Sequence, residues 1–226
     1  MGLVVYLDTI LIPLSFFLTV GYHGYLWHNF KNKPSHTTFG VNALKRRAWF
    51  LDLKDGDDKK CMLVVQSLRN TLMGTILTAS ISILVVVSLA MLINNAYTAS
   101  HLFRNPLFGS QSTKIFALKY GSIAVFLSLS FVFGSMAIAF MIDANFLMNA
   151  NSEEFALYSN EQRQTIFEKG FVLALVSNRM LCISFPLLLW MLGPLPVWFS
   201  SLALVWGLYQ LDFAGKLINN SCNKQT

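Results

Sequence analysis

Ionisable side chains are scarce in the apolar stretches of this chain, so the few near them are the first candidates for chemistry. Asp8, Asp143 and Asp212 are the carboxylates that could pair as general acid and base, but all three lie toward the ends of apolar segments. In the topology developed below, Asp8 and Asp143 fall on opposite sides of a membrane and form no dyad. His23 and His28 are five positions apart, which on a helix separates them by about 140° and argues against a shared metal or haem. Cys61, Cys182 and Cys222 are too widely spaced for a CxxC pair or a disulfide framework and read as reduced thiols. The DGDD turn at Asp55 lacks the spaced ligands of a calcium loop, and HExxH, GxSxG and a phosphate-binding glycine loop are absent. The expectation is no enzyme, no catalytic residue, no metal site and no cofactor.

Two basic features carry more information. Arg179, beside Asn178, stands eight residues past the start of an apolar run, where a bare charge costs about 2.5–3.5 kcal/mol at a helix centre. It is expected to reach the membrane surface or find a partner. An ion pair with Asp143 is one expectation, and a contact to an anionic headgroup or small anion, shared with Arg69, is another. The second feature is Lys45-Arg46-Arg47, interleaved with Leu44, Ala48, Trp49 and Leu51. That pattern predicts an amphipathic helix from an Asn42 cap to Leu53, lying in the interface with its bases on anionic headgroups.

The elements that must carry these residues are long apolar runs. Leu72–Ile93 holds 22 residues without a charge, enough to cross a hydrocarbon core roughly 30 Å thick at about 1.5 Å per residue. Further spans are expected near 3–26, 120–142, 171–192 and 196–211. The last two are separated at Gly193-Pro194-Leu195-Pro196, where proline breaks the helix, and Pro186 is expected to kink the first arm. A single tilted span from about Arg179 onward is the alternative, giving four crossings rather than five. Gly74, Thr78 and Ser82 form a small-residue strip on the second span, and Ser130 and Gly134 repeat the spacing on the third, which suits close helix packing. The cluster Tyr22-His23-Gly24-Tyr25-Leu26-Trp27-His28 reads as an interfacial anchor.

Composition agrees: 54% of residues are hydrophobic, 12% are charged, and mean hydropathy is +0.52, outside the usual range of a soluble domain. Nine of the 17 Lys and Arg lie between Lys31 and Arg69. That bias predicts a cytoplasmic 29–71 connection, an N-terminus on the far side and, with five spans, a cytoplasmic C-terminus. The net charge of +6 is thereby assigned to a membrane surface and not to nucleic acid.

GVNALKRRAW from Gly40, VQSLRN before the second span and SNRMLCISFPLLLWMLGPLPVWF from Ser177 together resemble the domain of unknown function 599 family of plant and bacterial integral membrane proteins. The resemblance implies a multi-span helical protein with no assigned activity and no functional residues to carry over. The expected fold is therefore all-α, a polytopic transmembrane helix bundle in a single domain over residues 1–226, with a basic interfacial helix after the first span. The expected function is structural or regulatory, through membrane lipids, a second copy or another membrane protein; the alternative is a small transporter or channel subunit. The expected location is a membrane, plasma membrane or endomembrane alike.

Overall fold

A computed structural model describes residues 2–51, 58–98, 113–149 and 160–214, with side chains over 10–48, 62–93, 117–147 and 164–214. Among them are six helices and no strand: α1 (Gly2–Asn32), α2 (Thr38–Leu51), α3 (Asp58–Thr98), α4 (Thr113–Asn149), α5 (Asn160–Leu189) and α6 (Pro194–Asp212). A short 3₁₀ turn, Pro34–His36, joins α1 to α2. Four stretches are long and apolar enough to cross a membrane: Ile10–Asn32, Met62–Ile93, Ala117–Leu147 and Gln164–Leu189.

The break after α5 falls where the prolines required it. The chain runs through Pro186, tightens into i to i+3 bonds such as Met191 N–H to Leu188 O at 3.1 Å, and turns at Gly193 with φ 137°. Only glycine adopts that backbone without strain, and Pro194 opens α6 at a position whose amide has no helical partner anyway. No single helix therefore runs from Arg179 to Leu211. At 19 residues, α6 extends about 28 Å, close to the hydrocarbon thickness.

The described residues divide into two compact units, each with parts of α4 and α5. The first draws on residues 1–46, 96–123 and 183–226. In it α1 packs along α6 and against the 3₁₀ turn. The second draws on residues 47–95 and 124–182, so it is built from the end of α2, nearly all of α3 and the adjoining lengths of α4 and α5.

In the second unit the buried residues of α4 are Leu127, Ser130, Gly134, Ala137, Met141 and Ala144. Steps of three and four keep them on one face, the spacing of left-handed helix packing. Leu68, Thr75, Ser82 and Leu89 recur every seven residues along α3. One end of this seam is apolar, with Val64, Leu68, Met141, Ala144 and Phe167 in one cluster. Its middle is small and polar, and hydroxyl bonds hold it: Ser82 Oγ donates to Ser130 Oγ at 2.9 Å, and Ser130 and Ser177 each donate to the other's carbonyl.

Candidate functional site

The junction of α1 and α2 is fixed by local chemistry. Thr37 is fully buried with extended backbone, and its Oγ1 accepts the Gly40 amide at 3.1 Å, which is the geometry of a helix N-cap. The helix therefore starts four residues before Asn42, which lies inside it. Gly40 lies against the turn so closely that an added Cβ would be 2.0 Å from the Pro34 carbonyl oxygen. The first residue of α2 also grips α6: Thr38 Oγ1 donates to Leu211 O at 2.8 Å. At the next residue of α6, Asp212 is fully buried and its carboxylate accepts the hydroxyl of Tyr22 from α1.

From that base α2 presents a mixed face. Leu44 is 47% exposed, and Lys45, Arg47 and Ala48 are exposed with it. Gly40 is buried, while Ala43 and Arg46 are half-buried on the other side. Three consecutive residues on a helix are spread by about 100° each, so three adjacent bases cannot all face outward together. The structure selects Lys45 and Arg47 for the open side and turns Arg46 toward the protein.

The other expected residues are separated. The Ser130–Ser177 bonds place those two residues at one level of α4 and α5, and Met141 lies against Gly170 further along, so the helices run antiparallel. Asp143 and Arg179 then lie on opposite sides of the Ser130–Ser177 level, about 22 Å apart along the axis, and the structure does not bring them together. Arg179 is only 8% exposed, and lies about 160° around α5 from Ser177, away from α4. Arg69 is exposed and thirteen residues from Ser82, the α3 residue at the serine level. It therefore stands about 20 Å along the axis from that level and shares no site with Arg179.

Of the small-residue strips, Ser130, Gly134 and Ser82 lie in the seam. Thr78 is half-buried, and Gly74 is exposed with nothing within 4 Å of an added Cβ. A strict i, i+4, i+8 strip drifts about 40° per step, and the buried face instead follows Thr75, Ala79 and Ser82.

Tyr22 and Asp212 are the pairing that local sequence conceals. They are 190 positions apart, and each reads separately as a segment end. Within the aromatic cluster, Trp27 is 64% and Tyr25 50% exposed, whereas Tyr22 is turned inward at 8%. His23 Nδ1 is 2.8 Å from Thr19 O; a carbonyl can only accept, so this nitrogen carries the proton. A third buried charge beside Asp212 and Arg179, Lys119, stands 5.5 Å from the Trp190 ring centroid, within cation–π range.

Neither a curated protein nor a solved structure matches the chain. The family model described as "Protein of unknown function, DUF599" matches residues 10–217, and with its several apolar membrane-length helices this membrane protein belongs to that family.

Proposed function

We propose that this protein is a structural or regulatory component of its membrane, with no catalysis of its own, and that it works by engaging anionic lipid through α2. The observation that carries the reading is the outward face of that helix, where half-exposed Leu44 and exposed Ala48 are flanked by exposed Lys45 and Arg47. Apolar side chains open to the surroundings cost free energy in water and gain it among acyl chains, while each base near an anionic leaflet contributes about 1 kcal/mol. Exposed Lys31 and Lys33, at the end of α1, add charge of the same sign. A reporter dye on Leu44→Cys, in an otherwise cysteine-free protein in nanodiscs, tests the reading. Its emission should shift to the blue when anionic lipid replaces neutral lipid and return in high salt; identical emission in both lipids would refute the electrostatic contact.

A small transporter or channel subunit for an ion or anionic small molecule is the second reading. It is favoured by the burial of Lys119, Arg179 and Asp212, each less than a tenth exposed in or beside apolar helices, since buried ionisable groups in such segments commonly serve transport. Flux assays on proteoliposomes with Asp212→Asn discriminate: flux that vanishes with this change would favour transport, and its absence from the unmodified protein would dismiss it.

A further inference from the structure

The base of α2 and the pairing of α1 with α6 share adjacent residues, and their connection has little slack. Thr38 holds Leu211 and Tyr22 holds Asp212, so α1 and α2 grip successive positions of one helix end. Between them the elbow is tight: Val41 N–H bonds Thr37 O at 2.9 Å, Thr37 N–H bonds Pro34 O at 3.3 Å, and Gly40 leaves no space over Pro34. Lifting or rolling α2 must then break the Thr38 bond or move the end of α6 on which the Tyr22 bond depends. On the lipid reading given above, we propose that α2 is a lever that couples the charge of the leaflet to the α1–α6 clasp. Docking on anionic headgroups tightens Tyr22 on Asp212, and a loosened clasp weakens docking.

Linkage makes the coupling reciprocal, so one factor governs both directions. Amide hydrogen exchange on the full chain in nanodiscs of neutral phosphatidylcholine, with and without anionic phosphatidylglycerol, reads both ends. Anionic lipid should slow exchange in residues 44–48 and also in residues 208–213, the latter by at least about fivefold, the lower range of ordinary coupling. Thr38→Val removes the bond between lever and clasp; it should keep the slowing at 44–48 and lose it at 208–213. Tyr22→Phe should weaken retention of anionic lipid by the same factor that the lipid slows exchange at 208–213. Slowing at 44–48 without any change at 208–213 in the unmodified protein would overturn the coupling and leave the lipid reading standing. No lipid dependence at 44–48 would overturn both.

Discussion

Ser130 and Ser177 exchange hydrogen bonds, each hydroxyl donating to the other's main-chain carbonyl at 2.8 and 2.7 Å. The register of α4 on α5 is thus specified twice at one level, and Gly134 one turn away lets the backbones approach: a Cβ there would lie 2.9 Å from Ser177 Oγ and 3.2 Å from Ala79 Cβ. In hydrocarbon such interhelical bonds contribute about 0.6–1.7 kcal/mol each.

Ser130→Ala and Ser177→Ala should each lower stability by about that amount. Because both bonds depend on one register, a double-mutant cycle in mixed-micelle unfolding should give a favourable coupling between them. Coupling indistinguishable from zero would mean that the two bonds form independently.

Gly134→Leu should cost more, about 1–3 kcal/mol by overpacking the seam. Gly74→Leu should stay within about 0.5 kcal/mol, since its side chain enters open space. Equal losses at the two sites would contradict the assigned seam.

Gly193→Ala should strain the α5–α6 turn by on the order of 1–3 kcal/mol, because φ 137° with ψ 173° is a region that side chains avoid. Gly40→Ala should also destabilise, through collision with Pro34 O, while Gly207→Ala, with nothing within 4 Å of its added Cβ, provides the control. Thermal unfolding in detergent ranks the three.

The helical architecture was legible in the sequence because a charge-free run of membrane length has few alternatives, and the hairpin was legible because Gly193-Pro194 cannot continue a helix. Which face of each helix is buried was less so. Gly74 and Ser82 look equivalent in a spacing of four, and only the neighbouring helices decide that Ser82 is inside. Burial of Asp212 against Tyr22 depends on a contact between opposite ends of the chain, for which neither residue carries a local signal. Lys45, Arg46 and Arg47 illustrate the intermediate case: their composition identified the helix, but the turn at Pro34–Gly40 sets its rotation and hence which bases face outward.

Topology has its own test. Tyr22–Asp212 and Thr38–Leu211 bring the end of α6 to the α1–α2 junction, so His36 and a tag after Thr226 should share a side of the membrane. In a cysteine-free chain, an impermeant reagent should label His36→Cys and a C-terminal cysteine tag together or leave both untouched in sealed cells. Labelling of one alone would contradict five crossings.

On the proposed reading, α2 meets an anionic leaflet through the bases that the fold leaves outward. The most direct test is the affinity of the full chain for anionic lipid, measured by titrating phosphatidylglycerol into protein held in neutral nanodiscs. Lys45→Gln with Arg47→Gln should remove about 2 kcal/mol, a weakening of roughly thirtyfold that fades in high salt. Arg46→Gln, at the half-buried position, should change this affinity far less than either outward base. Equal losses at all three bases, or an affinity untouched by the double change, would contradict the account.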